Sequence, residues 1–296
     1  MSDDDTVTTA PGGTVRALVE RAAAQLAAAG VPSPRTDAEV LLAHDLGVDR
    51  SRLGVLAALG SAVAPVRFAD LVAQRVQRVP LQHLTGRAPF RSLELAVGPG
   101  VFVPRPETEV VARFAVDEAA RLVAAGGRPV VVDLCTGSGA IALAVAVEVP
   151  AARVHAVELD PMAHAWARRN ADELAPALDL RLGDAASAFE DLDGTVDVVV
   201  SNPPYVPPGA VPQEVEVARH DPEAALYGGG DDGLEVPRRV VAAAARLLRP
   251  GGFVVVEHAE VQEHGARRLF TGPAWRDVAG HRDLTGRPRC TSARRA

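Results

Sequence analysis

The sequence predicts an α/β protein: a doubly wound, mostly parallel sheet, preceded by a small helical domain and joined to it by a β-hairpin. Three observations predict it. From residue 129 onward, short apolar runs alternate with helix-forming stretches. Before residue 81, apolar residues recur at helical spacing. Between the two, residues 81–104 carry short apolar runs punctuated by Gly86 and by Gly98-Pro99-Gly100.

Residues 1–13 are acidic, then rich in Thr, Pro and Gly, and are expected to form a disordered tail. The helical domain is expected over 14–80. Val15, Leu18, Val19, Ala22 and Leu26 mark its first helix, with Gly30 as the stop. Thr36 and Glu39 fit a capping box for a second helix ending at Gly47. Pro65 opens a third, striped by Phe68, Leu71, Val72, Val76 and Val79 and terminated by Pro80. In 81–104, His83 to Gly86, Phe90 and Leu93 to Val97 read as short strands of a hairpin connector.

The remainder, 105–296, carries the sheet. Pro106 and the acids Glu107 and Glu109 suit a helix start. Strands are expected at Val130–Leu134, Val154–Val157, Leu178–Leu182, Val196–Val200 and Phe253–Val256. Helices are expected at Ala140–Val149, from the Asp160-Pro161 cap towards Leu174, and at Leu234–Leu248, with Pro250-Gly251-Gly252 turning into the last strand. The segment Asp283 to Arg289 reads as the turn of a terminal hairpin.

Composition excludes several classes of function. The chain has no lysine, so all 31 basic residues are arginine. Phosphate-loop hydrolases, protein kinases and Schiff-base enzymes all need a lysine. The net charge of −7 disfavours a protein that grips nucleic acid by its phosphates, and no direct nucleic-acid binding is expected. Two cysteines, Cys135 and Cys290, make neither a disulfide framework nor a paired metal motif. No apolar run approaches the roughly 20 residues of a membrane span, and the acidic N-terminus lacks a secretory pattern. A cytoplasmic location without membrane contact is the expectation.

Two loops at strand ends carry the candidate chemistry. After the first strand, Asp133 precedes Cys135-Thr136-Gly137-Ser138-Gly139, whose glycines let the backbone turn sharply and approach a ligand. Glu158 follows the second strand, where a carboxylate can accept both ribose hydroxyls of an adenosine, and Asp184 follows the third, where it can meet an adenine amino group. The glycine spacing also satisfies the dinucleotide fingerprint. A pyrophosphate would meet Asp133 unfavourably, whereas the cationic ends of S-adenosylmethionine would not. After the fourth strand comes Ser201-Asn202-Pro203-Pro204-Tyr205, in a chain with only two asparagines and two tyrosines. The Asn202 side-chain oxygen and the Pro203 carbonyl can each accept one N–H of a target NH2. That arrangement aims the nitrogen lone pair at a sulfonium methyl. Pro204 stiffens the turn and Tyr205 can stack on a planar target.

Asn202-Pro203-Pro204-Tyr205 with the upstream glycine loop resembles the class I, Rossmann-like S-adenosylmethionine-dependent amino-methyltransferases. Further stretches resemble the release factor glutamine methyltransferases (the PrmC/HemK family). These are Leu81 to Gly86 with Phe90, Pro104 to Glu109, Pro222 with Ala225-Leu226, Gly228-Gly229 with Asp232-Gly233-Leu234, and Asp283-Leu284 with Gly286 to Arg289. The resemblance implies N5-methylation of the glutamine in the Gly-Gly-Gln motif of class 1 peptide chain release factors. It implies that Asp133, Cys135 to Gly139, Glu158, Asp184 and Ala185 hold S-adenosylmethionine. Asn202 to Tyr205 would hold the glutamine, with Asn202 also beside the transferred methyl. The helical domain and hairpin would help dock the release factor.

Four positions depart from the family pattern. Cys135 stands where glycine is frequent, which requires a negative φ there. Glu158 replaces a common Asp, Asp221 replaces a Glu, and Ala185 replaces an aromatic that would stack on adenine. Related alternatives are a glutamine methyltransferase of a ribosomal protein and a DNA adenine N6-methyltransferase. A catalytically silent module of the same fold is the alternative from another class. Outside these motifs, His83, His220 and His258 lack metal-ligand spacing. Tyr227 is either part of a lid or loop packing, and Glu257 lies either near the site or at a helix cap.

Overall fold

The computed structural model describes residues 12–210, 212 and 214–296. It divides into two units, one of residues 12–86 with 214–220 and one of the rest. Most of the tail expected at 1–13 lies outside the described residues. Its end, β1 (Gly13–Thr14), pairs antiparallel with β2 (Ala62–Val63).

The first unit is mostly helical. Helix α1 (Val15–Ala28) starts where the Thr14 hydroxyl accepts the Ala17 N–H, and it buries Val15, Leu18, Val19, Ala22 and Leu26. Helix α2 (Pro34–Leu46) begins at Pro34 with Ser33 as its N-cap, so the capping box expected at Thr36 is not formed. Proline at the first helical position is pre-set in φ and needs no N–H partner there. Helix α3 (Arg50–Ala58) was not expected from periodicity; of its residues only Leu53 is buried. Helix α4 (Phe68–Val76) starts three residues after Pro65, where the Asp45 carboxylate accepts the N–H groups of Arg67 and Phe68. His83 to Gly86, expected as a short strand, falls instead at the end of α5 (Leu81–Thr85), a short helix that ends at Gly86 with φ 71°. The apolar faces of α1, α2 and α4 share one core, with Leu41, Leu42, Phe68, Leu71 and Val72 inside it.

The second unit opens with a hairpin, β3 (Arg87–Phe90) and β4 (Leu93–Ala96), followed by α6 (Thr108–Ala124). Then come β5 (Val130–Leu134), α7 (Ala140–Glu148), β6 (Arg153–Glu158), α8 (Pro161–Leu174), β7 (Asp179–Leu182) and β8 (Val196–Ser201). Helix α9 (Val215–His220) returns to the first unit, where Glu216 meets Arg75 and Arg78. The second unit resumes with α10 (Glu223–Leu226), α11 (Glu235–Leu247), β9 (Leu248–Glu257), α12 (Glu263–Arg268), β10 (Trp275–Arg282) and β11 (Pro288–Arg295).

The expected doubly wound sheet is present, with seven strands in the order β10-β11-β9-β8-β5-β6-β7. The strands from β9 to β7 run parallel, while β11 joins β9 and β10 antiparallel, completing a terminal hairpin. Pro250-Gly251-Gly252 lies within β9 rather than in a turn before it. The β8 register shifts between Val196 and Val198, which accommodates the missing proline N–H. Strand β5 is buried along its whole length because helices cover both faces. Val131 joins one core layer, while Val130, Val132 and Leu134 join the other. From β5 the chain builds outward through β6 and β7 and then reverses to β8 and β9. The topological switch therefore falls between β5 and β8, whose ends pair as Leu134 with Ser201. No helix among the described residues is long and apolar enough to cross a membrane.

Candidate active site

The loop after β5 and the turn after β8 leave neighbouring strand ends, so the two sequence-predicted halves of the site lie side by side. Ser201 closes the junction by donating its hydroxyl to the Leu134 carbonyl at 2.6 Å.

Asp133 is fully buried at the end of β5. Its Oδ2 accepts the Thr136 hydroxyl at 2.6 Å and the Ala142 N–H at 3.1 Å, whereas Oδ1 has no partner. Burial pushes its carboxyl up to about 7, opposed by the Thr136 and Ala142 hydrogen bonds and assisted by the nearby Glu158 charge. An unpartnered buried carboxylate oxygen is costly unless a cation or donor reaches it.

The glycine loop turns through three left-handed residues: Cys135 at φ 62°, Gly137 at 60° and Gly139 at 87°. The expectation of negative φ at Cys135 is therefore wrong. The tight return from β5 into α7 sets the backbone there, and the side chain tolerates it. Its thiol is not a poised nucleophile either. Burial first, then the Glu158 and Asp133 charges, raise it far above the ordinary thiol range. Gly139 is the N-cap of α7: its carbonyl accepts the Leu143 N–H, while its own N–H donates to the Thr136 carbonyl. Ser138 is buried, and its carbonyl accepts Asn170 Nδ2 at 2.9 Å. Asn170, which sequence reasoning passed over, also bonds both backbone groups of Ala96, so it ties the glycine loop to β4.

Glu158 at the end of β6 folds back on the loops. Oε2 accepts the Gly137 N–H at 2.7 Å, and Oε1 accepts the N–H groups of Leu159 and Asp160. The extra methylene relative to Asp is what lets it reach Gly137. Asp184 accepts the Ala186 N–H at 2.9 Å and pairs with Arg239; the Ala186 hydrogen bond first, opposed by burial and then helped by Arg239, holds its carboxyl below the usual range. Ala185 is buried in the core layer that contains Phe189 and offers no stacking surface. The exposed Leu159, beside Glu158, does offer an apolar surface, and sequence reasoning did not single it out.

On the other side, Asn202 Nδ2 donates to Thr108 Oγ1 at 3.3 Å, which leaves Oδ1 to accept. Pro203 is buried and Pro204 half-buried. Tyr205 is held at both ends: its hydroxyl donates to Glu257 Oε1 at 3.1 Å, and its carbonyl accepts Gln262 Nε2 at 2.7 Å. Gln262 Nε2 also donates to the Asp232 carbonyl, and its Oε1 accepts the Ala259 N–H. Glu257 thus lies beneath the turn and does not serve as a helix cap. Burial, against the Arg289 charge and the Thr108 and Tyr205 hydroxyls, pushes its carboxyl up to about 7.

The glycines after Tyr227 form the bed of the turn. A Cβ on Gly228 would lie 1.9 Å from the Gly233 carbonyl and 2.7 Å from that of Pro204. Val206 bonds on either side of Tyr227, accepting the Gly228 N–H and donating to the Leu226 carbonyl. Backbone-to-backbone packing therefore demands glycine here, and Tyr227 belongs to loop packing. Asp221 pairs with Arg105 at 2.9 Å, so the shorter acid still reaches its partner. His258 is buried between Thr291 and the Ala259 carbonyl.

Comparison with known proteins agrees with this architecture. The PrmC N-terminal domain family matches residues 17–86, and the methyltransferase small domain family matches residues 107–219. The chain is 54% identical to the release factor glutamine methyltransferase of Streptomyces coelicolor over 95% of this chain and 98% of that protein. It is 49% identical to that of Mycolicibacterium smegmatis over 95% and 98% respectively. A 4-amino-L-phenylalanine/4-methylamino-L-phenylalanine methyltransferase of Streptomyces pristinaespiralis is 40% identical over 88% of this chain and 89% of that protein.

Proposed function

Because the chain belongs to the release factor glutamine methyltransferase family, we propose that it methylates the glutamine side-chain amide in the Gly-Gly-Gln motif of class 1 peptide chain release factors. The observation that carries this reading is the pairing of Leu134 with Ser201, which sets the glycine loop beside an asparagine whose oxygen is turned outward.

The residues present suit S-adenosylmethionine. Asp133 Oδ1, buried and unpartnered, fits its ammonium, and the backbone of Cys135 to Gly139 leaves room for its methionine end. Glu158 and Asp184 retain lone pairs for ribose and adenine beyond those taken by backbone N–H groups, and Leu159 supplies an apolar surface for the adenine. When bound, the cofactor supplies a methyl group on an electrophilic sulfonium.

The chain's own residues then position the acceptor. An amide nitrogen is a weak nucleophile because its lone pair is delocalised. Asn202 Oδ1 and the Pro203 carbonyl each accept one N–H, hold the nitrogen in line with the methyl and favour its rehybridisation. Tyr205 lines the glutamine, and the surplus proton leaves to water once the methyl has transferred. The first unit takes the role of docking surface for the release factor.

Incubating the protein with S-adenosylmethionine and a class 1 release factor, followed by peptide mass spectrometry, tests the reading. One methyl gain on the Gly-Gly-Gln peptide is expected. The Streptomyces pristinaespiralis relative is named for an arylamine substrate, so 4-amino-L-phenylalanine belongs in the same experiment, with ribosomal proteins and DNA. Methylation of one of these in place of the release factor would overturn the assignment.

A further inference from the structure

The turn Asn202-Pro203-Pro204-Tyr205 is poorly equipped to hold its own shape. Pro203 and Pro204 have no N–H, so two of its four residues cannot donate a hydrogen bond across the turn. A turn that must keep an amide nitrogen in line with a methyl group therefore depends on what grips it from outside. At its start the grip is Ser201, which donates to the Leu134 carbonyl at 2.6 Å. At its end the grip is Gln262.

Gln262 closes the single 3-10 turn Glu260–Gln262 that follows β9, and it is 6% exposed. Because Val256 of β9 pairs with Ser201 of β8, the chain leaving β9 emerges beside the Asn202 turn. One amide makes three bonds there. Nε2 donates to the Tyr205 carbonyl at 2.7 Å and to the Asp232 carbonyl at 2.8 Å, and Oε1 accepts the Ala259 N–H at 3.0 Å. A primary amide has two N–H donors and an accepting oxygen, and all are used. A flip would set the oxygen against two carbonyls and the NH2 against an N–H, so a single orientation is stable.

The two carbonyls belong to different segments. Tyr205 ends the acceptor turn, while Asp232 lies in the glycine-rich loop that beds it. The approach is so close that a Cβ on Gly233 would lie 2.4 Å from the Tyr205 carbonyl oxygen. Gln262 thus fastens the turn to its bed. We propose that Gln262 is a positioning residue for methyl transfer, fixing the turn so that Asn202 Oδ1 and the Pro203 carbonyl meet the target NH2 at one place. The proposal rests on the amide-holding role of Asn202 and Pro203 given above. All three bonds of Gln262 go to main chain, so it acts through Tyr205. None of its partners belongs to the cofactor side.

Two variants test it. Gln262→Met keeps the length and removes both donors, whereas Gln262→Glu keeps the shape and sets an acceptor against the two carbonyls. Calorimetric titration with S-adenosylmethionine gives the cofactor Kd and, from its stoichiometry, the number of folded sites. Turnover is read per such site, so unfolded protein drops out and a merely structural role would leave it unchanged. At saturating cofactor and release factor, kcat per site is expected to fall about tenfold in Gln262→Met, the equivalent of one hydrogen bond. It should fall at least as far in Gln262→Glu, with the cofactor Kd unchanged within about twofold in both. Wild-type kcat per site in either variant, a change confined to the KM for the release factor, or a parallel loss of cofactor affinity would each overturn the proposal. The underlying reading is tested separately by where the wild-type enzyme places the methyl. If it goes to another amine, the same ratios are read on that amine.

Discussion

The two halves of the site are built in opposite ways. On the cofactor side, most carboxylate hydrogen bonds come from groups close in sequence: Thr136 and Ala142 on Asp133, Leu159 and Asp160 on Glu158, Ala186 on Asp184, with the Gly137 N–H on Glu158 and Arg239 on Asp184 as the longer reaches. On the acceptor side, each polar group reaches across the fold. Asn202 finds Thr108, 94 residues away; Tyr205 finds Glu257 at 52 and Gln262 at 57. Each cofactor-side carboxylate is held largely within its own strand–loop–helix unit after β5, β6 or β7, whereas the acceptor-side contacts exist only once distant segments have packed together. Cofactor affinity and amide positioning should therefore be separable by mutation.

The largest effect expected is on the acceptor side. Asn202→Ala should lower turnover at least about a hundredfold, comparable to deleting an oxyanion-hole donor, while calorimetric titration finds cofactor affinity nearly intact. The mirror change is Glu158→Ala. It strips an acceptor from three backbone N–H groups and one expected ribose partner. A charged hydrogen bond contributes about 1.5–3 kcal/mol, so the cofactor Kd should rise roughly ten- to a hundredfold, with turnover at saturating cofactor changing far less. If both variants lose affinity and turnover together, the division into halves fails.

The same contrast explains how much was legible in the sequence. The glycine loop and the strand-end carboxylates were placed because they recur at fixed offsets from apolar strands, and the doubly wound, mostly parallel sheet followed from the same alternation. The turn at Asn202 was readable as a motif. Its support was not, because Thr108, Glu257, Gln262 and Arg289 lie on four separated segments and none carries a local pattern. Asn170 was missed for the same reason, with partners at Ala96 and Ser138. In the first unit, α3 was missed because a helix that buries only Leu53 leaves no apolar stripe. His83 to Gly86 looked extended because the five-residue helix Leu81–Thr85 that holds most of it is too short for periodicity to show.

One feature is shared by both halves: each holds a buried carboxyl raised to about 7, Asp133 on one side and Glu257 on the other. For Glu257 the ordinary value is 4.5. A raised folded-state value means that its contribution to stability is fully present below about 4.5 and is lost as pH rises through about 7. Glutamine is a constant stand-in for the protonated form. The melting temperature of the wild type should therefore fall relative to Glu257→Gln as pH is raised from 4.5 to 7, and then run parallel to it. Around Glu257, Arg289 opposes this shift and Glu107 adds to it. A gap that does not change with pH would mean that the carboxyl is not held in its neutral form.

The smallest effect lies at Cys135, where the cofactor side departs from its own logic. Gly137 and Gly139 adopt positive φ without a Cβ, but Cys135 does so at φ 62° with one. A non-glycine residue in the left-handed region costs roughly 1–2 kcal/mol, while glycine raises the entropy of the unfolded chain by roughly 0.5–1 kcal/mol. The first exceeds the second by roughly 0–1.5 kcal/mol, so Cys135→Gly should stabilise the fold by no more than about 1.5 kcal/mol, read as a small shift in denaturation midpoint. Its effect on turnover should be nil, because the half-buried thiol is held neutral, raised by desolvation and by the charges of Glu158 and Asp133. A marked loss of turnover would show that the Cys135 side chain does more than tolerate the turn, and that the cofactor side is not built from backbone and carboxylates alone.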